Sequence, residues 1–149
     1  MRKTILLFVL MLLSICTLAE DTTREMKWQK SIYWKIPDIE VYVDTNTIRH
    51  ELEDGNDYSY GVFMFHRNVP VEMVLGGKKL RVYSFLRYYV VDCNKSRMVP
   101  VSDYYFTIPK LPATADTPAY IVDHTTSPAE PKEMSRAHPI YRTLCPKYI

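Results

Sequence analysis

Two cysteines that lie beyond an export signal constrain this chain more than any other feature. Cys93 ends a long apolar run as Val90-Val91-Asp92-Cys93, and Cys145 nearly ends the chain as Thr143-Leu144-Cys145-Pro146. A basic start, Met1-Arg2-Lys3, precedes an apolar run from Ile5 to Leu13, and small or polar residues follow from Ser14 to Ala19. This is the layout of a secretory signal over residues 1–19, too short to span a bilayer as a helix. Outside the cytoplasm two remaining thiols are oxidised together. A bridge between Cys93 and Cys145 closes a long loop, which loop-closure entropy makes worth roughly 4 kcal/mol. That is a large share of a small domain's stability.

Thr17-Leu18-Ala19 before Glu20 suits a signal peptidase. Leu13-Ser14-Ile15-Cys16 also resembles a lipobox, in which Cys16 would be acylated, but branched Ile15 stands where such boxes carry a small residue. The reading is an exported protein, periplasmic, secreted or associated with the outer membrane. Removing Arg2 and Lys3 from the 19 basic residues leaves 17, against 17 acidic ones. A neutral domain lacks the cationic excess that grips nucleic acid, so no nucleic acid is expected as a partner. The densest basic patch is Lys78, Lys79 and Arg81, with Arg87 further on. It reads as a solvated turn and strand edge, or as a contact for a polyanion or lipid headgroup.

Residues 20–31 are polar and read as a flexible lead-in; residues 32–149 read as a single domain. Strand signals begin at Ile32 to Ile36, broken by Pro37-Asp38. They resume at Ile39 to Asp44, where Ile39, Val41 and Val43 alternate with Glu40, Tyr42 and Asp44. A turn follows at Asp44 to Ile48, and Glu51 to Asp57 reads as a polar hairpin loop. Tyr58 to Arg67 carries bulk on both faces, which predicts a central strand covered on each side. Asn68 to Lys79, with Pro70 and Gly76-Gly77, reads as a connection. Leu80 to Cys93 is the longest strand-like run, and Met98 to Thr107 returns against it. Pro100 in that return requires an edge or a bulge, because it has no amide to donate. Prolines punctuate residues 109–131, where only Tyr120 to Val122 resembles a strand. Pro139 suits a first helical position and Ile140 lies four residues before Leu144, which predicts a short helix near the end. The fold class is mainly β (α+β), an antiparallel sheet with a little helix placed late.

No reaction is specified by these residues. The 4 glycines form no nucleophile elbow and no phosphate-cradling loop. Ser102-Asp103 reads as a turn bond. His50, His66, His124 and His138 are too scattered for a metal site, and neither Cys93 nor Cys145 has a histidine at ligand spacing. His66, facing Met64, is a candidate haem ligand at a strand end, and a tyrosine can also hold haem iron. Tyrosine is abundant, 12 in all, with doublets at Tyr88-Tyr89 and Tyr104-Tyr105. In a strand a doublet sends one ring to each face. Exposed rings would offer contact area at small entropic cost; buried ones would fill the core of a sheet covered on both sides.

The order Tyr42-Val43-Asp44 with Ile48, the Tyr58 to Phe65 strand, Tyr88 to Cys93, Ser102-Asp103-Tyr104-Tyr105 and Leu144-Cys145 resembles the surface-adhesin protein E family of Gram-negative envelope proteins. The resemblance covers residues 33–145 and leaves 109–136 unmatched. It implies an antiparallel sheet of about six strands and a carboxy-terminal helix tied to it by the disulfide. It also implies a non-enzymatic binding protein that contacts host matrix or plasma proteins, and, from particular members, haem binding and a homodimer. The contact residues expected on this reading are Lys78, Lys79, Arg81, Arg87, Tyr88, Tyr89, Tyr104 and Tyr105. The alternatives are a periplasmic carrier of haem or another apolar ligand, and an envelope structural protein without a host ligand.

Overall fold

The computed structural model describes residues 25–115, 117–125 and 130–149. The expected signal segment, residues 1–19, and with it Cys16, lies outside them. Eight antiparallel strands form one sheet: β1 (Trp28–Lys30), β2 (Glu40–Asp44), β3 (Arg49–Glu53), β4 (Asn56–Leu75), β5 (Lys78–Asp92), β6 (Arg97–Phe106), β7 (Tyr120–Asp123) and β8 (Lys132–Glu133). The spatial order is β1-β2-β4-β5-β6-β7, with β3 beside the start of β4 and β8 beside the start of β6. Among the described residues the one α-helix is short, α1 (Pro139–Leu144), and a 3-10 turn follows it at Pro146–Tyr148. Among the described residues no helix is long and apolar enough to cross a membrane.

The long hairpin of β4 and β5 is the spine, and period-two alternation gives it two apolar faces. One face gathers Tyr58, Tyr60, Val62, Met64, Leu86, Tyr88, Val90, Tyr104 and Phe106. The other gathers Val41, Val43, Phe63, Phe65, Tyr89, Val91 and Cys93 beneath Ile140, Tyr141 and Leu144 of α1. A helix of this length does not form alone; three features hold it. The disulfide Cys93–Cys145 spans 52 residues with Cα atoms 5.6 Å apart. The Tyr141 hydroxyl donates to the Cys93 carbonyl at 2.6 Å. Leu144 lies on Gly61, where an added Cβ would come within 2.5 Å of Leu144 Cδ2. Glycine in the middle of a strand is here the dent that receives the helix. As expected, Pro139 opens α1, and His138 caps it by accepting the Ile140 amide at Nδ1, 3.3 Å away. Pro100 sits where the β5–β6 register slips by one residue between Tyr88 and Tyr89, which is the bulge its missing amide requires.

Four local expectations are corrected. Residues 25–31 are no flexible lead-in: β1 pairs Trp28 with Asp44 and Lys30 with Tyr42. Met26 and Trp28 pack on the first face, and their amide and indole N–H donate to the Ala113 and Pro112 carbonyls at 2.9 and 2.8 Å. This pins the proline-rich stretch after β6 across that face. Ile32 to Ile36 is no strand; only a bridge from Ile36 to Ile39 forms around Pro37, with Asp38 at φ 59°. Glu51 to Asp57 is a tight hairpin rather than a loop, turning at Asp54-Gly55 with φ of 48° and 78°. Asn68 to Lys79 is no connection either. β4 runs on to Leu75 and turns at Gly76-Gly77, while Pro70 is accommodated in a register break between His66 and Val71.

Candidate functional site

The expected contact residues do not share a surface. Tyr88, Tyr89, Tyr104 and Tyr105 are all buried, with 8%, 6%, 5% and 8% exposure. Both faces of the sheet are covered, so each doublet supplies one ring to each core. Tyr88 lies 5.6 Å from Tyr104 across β5 and β6, while Phe65, Phe85 and Tyr105 form a stacked row at 4.6 and 5.9 Å. Burial pushes the phenols of Tyr89, Tyr104 and Tyr105 up from their ordinary pKa. These tyrosines are packing. The basic run also divides: Lys78, Lys79 and Arg81 are exposed, whereas Arg87 lies well inside β5, between β4 and β6, and not at an edge.

Arg87 belongs to a closed polar cluster. It stands opposite Asp103 in the β5–β6 register. Its Nε and Nη2 grip the two carboxylate oxygens, the second at 2.6 Å, which holds the guanidinium proton more tightly still. Oδ2 of Asp103 also receives the Tyr105 hydroxyl at 3.4 Å and lies 3.3 Å from His124 Nε2. The carboxylate is 2% exposed and the Arg87 side chain 30%. A buried carboxylate with this many partners is neither a free base nor a receptor for an outside cation, and Arg87 is already neutralised. Sequence reading missed the pair because the two residues are 16 apart and only the register joins them.

A second row lies across the first face. Glu40, His66 and Ser84 oppose one another on β2, β4 and β5. His66 Nδ1 is 2.7 Å from Ser84 Oγ. Glu40 binds the Lys30 ammonium and receives the Tyr42 hydroxyl at 2.7 Å, and Lys30 above all holds its carboxyl below the usual range. Tyr42 is pushed up to about 12 by burial and by Glu40. The composition is that of an acyl-transfer triad, but the geometry differs. Ser84 is 1% exposed on a strand paired on both sides, so its surroundings offer neither access nor free amides for an oxyanion. The hydroxyl satisfies a buried histidine. His66 and Met64 are themselves buried, at 6% and 0%, so the pair presents no ligand to a haem-sized molecule. Among the described residues no group of three or more His, Cys, Asp or Glu could hold a metal ion.

The exposed chemistry is concentrated where the spine outruns the sheet. β2 leaves β4 at His66 and β6 leaves β5 at Ser84; beyond them, among the described residues, Val71 to Leu75 pair only with Lys78 to Val82. This two-stranded ribbon exposes Val69, Val71 and Val74 at 75%, 41% and 71%, beside Lys78, Lys79 and Arg81. Lys79 meets Glu72 at 2.6 Å. Lys78 and Arg81 have no ion pair among the described residues. The tip is held: Gly76, at φ 56°, approaches the Tyr120 ring so closely that a Cβ would lie 2.6 Å from Cε2. The sequence cue was present in Lys78-Lys79-Leu80-Arg81; the valines around Pro70 were obscured by reading that stretch as a connection.

No family model, no curated protein and no solved structure matches this chain.

Proposed function

We propose that this is an exported, non-enzymatic protein that binds a protein partner through the β4–β5 ribbon, in the manner of a surface adhesin. The observation that carries the reading is the ribbon itself, with exposed valines beside Lys78 and Arg81, which have no ion pair among the described residues. Single surface valines need no explanation, but several on one two-stranded hairpin, rimmed by charge, mark an interaction site. The structural disulfide favours an oxidising compartment, as export requires. The resemblance to the protein E family favours matrix or plasma proteins as the partner class. With the tyrosine doublets buried, the contact set narrows to Lys78, Lys79 and Arg81 with Val69, Val71 and Val74.

The test is solid-phase binding of the mature protein to a panel of immobilised matrix and plasma proteins. Binding that falls at least about tenfold when Lys78, Lys79 and Arg81 all become Gln, in a variant with unchanged circular dichroism, supports the reading. If the unaltered protein binds nothing on the panel, adhesion is refuted and an envelope structural role takes its place.

A further inference from the structure

The ribbon also has an unused backbone. β6 follows β5 only as far as Phe106, opposite Ser84, and the chain bends away after Thr107. From Lys78 to Tyr83 the outer edge of β5 therefore has no ladder partner among the described residues, and alternate amides and carbonyls point outward. This edge is regular, because Pro70 and the register break both lie on β4. A regular bare edge is a template for another strand. Its charge selects which one. Lys78 and Arg81 have no ion pair among the described residues, so a second copy of the same edge is repelled and an acidic strand is attracted. Lys79 and Arg81 stand on one side of β5, Leu80 and Val82 on the other; a segment alternating acidic and apolar residues meets both.

We infer that the outer edge of β5, from Lys78 to Tyr83, takes up an acidic extended segment of a partner protein by adding it as a strand. This rests on the protein-binding reading above and specifies the partner's chemistry and the mode of contact.

The probe is a fluorescein-labelled peptide of about ten residues alternating Glu and Val, titrated by anisotropy at low salt. Controls replace Glu by Lys, or N-methylate one or the other set of alternate amides, which removes donors from one edge and keeps the charge. The Glu peptide is expected to bind and the Lys peptide not. At least one methylated isomer should lose about tenfold or more in affinity. Binding should also slow amide exchange at residues 79–83, and Lys78→Gln with Arg81→Gln should weaken it by about fivefold. Failure of the Glu peptide to bind overturns the inference. So does undiminished binding of both methylated isomers, which would mean simple attraction to a polyanion. A protein that binds the matrix panel but ignores the peptide keeps its adhesive function and loses the strand mechanism; the reverse result keeps the mechanism and loses adhesion.

Discussion

The same two strands have different environments along their length. Between Tyr58 and His66 on β4, and Ser84 and Asp92 on β5, both faces are covered and neighbouring strands flank the pair. Between Val71 and Val82 no neighbouring strand flanks the pair among the described residues, and Val71 and Val74 are exposed while Val82 is buried. Alternation is similar in both halves, so periodicity does not decide which half is core. Cover decides it. The inner half has α1, the disulfide and the Pro112–Ala115 stretch lying on it; in the outer half Gly76 meets Tyr120 and Val82 is buried, while Val71 and Val74 stay exposed. The inner half should therefore carry the stability and the outer half the binding, and each substitution below tests that division.

Cys93→Ser with Cys145→Ser should show the largest effect. Freeing a loop of 52 residues removes about 4 kcal/mol by loop-closure entropy, read as a lower midpoint in urea unfolding. Peptide or matrix binding by the fraction still folded should be unchanged. If removing the bridge costs little, α1 does not anchor the inner half and the division fails at its stronger end.

Asp103→Ala comes next. It leaves Arg87 and the Tyr105 hydroxyl without their acceptor on a covered face. Breaking a fully buried pair costs about 3–5 kcal/mol; because Arg87 reaches water, about 2–3 kcal/mol is expected. Denaturant titration checks it, and recovery in the double variant Arg87→Met with Asp103→Leu would identify the cost as an orphaned charge.

Acid should act on the inner half alone, with a smaller effect than either substitution. Burial lowers the pKa of His66 and of His138 below the ordinary 6.5. The unfolded chain then binds protons first, so stability is fully present above pH 6.5 and is lost as pH falls through that value towards the folded pKa. Protonating His138 also destroys the Nδ1 acceptor that caps α1. Unfolding midpoints measured between pH 7.5 and about 5 should fall, and His138→Asn, which still caps but does not titrate, should flatten the profile. A flat profile in the unaltered protein would mean that neither ring is held neutral.

Much of the inner half was legible in the sequence because its signals are local. Pro100 announces a bulge by lacking an amide; Pro139, Ile140 and Leu144 announce a helix; two cysteines in a chain read as exported announce each other. The polar clusters were not legible. Arg87 meets Asp103 and Glu40 faces His66 only through strand register, which no single segment encodes. The tyrosine doublets were ambiguous for a related reason. Alternation tells which rings share a face but not what lies on that face, and here α1 and the stretch after β6 lie on both. The ribbon was missed because Pro70 and Gly76-Gly77 resemble loop residues. A bulge and a tight turn use the same residues, since both need backbone that strand-formers do not supply.

The smallest effect on stability is the sharpest test of the division. Val74→Gln removes an apolar side chain that is 71% exposed and loses almost no buried area. Surface substitutions of this kind fall within about 0.5 kcal/mol of neutral. Binding of a matrix protein should nevertheless weaken by about threefold to tenfold, because burying Val74 contributes only once a partner covers it. A loss of stability above about 1 kcal/mol would mean that the ribbon packs against the rest of the chain. The outer half would then be core like the inner, and the exposed valines would no longer mark a binding surface.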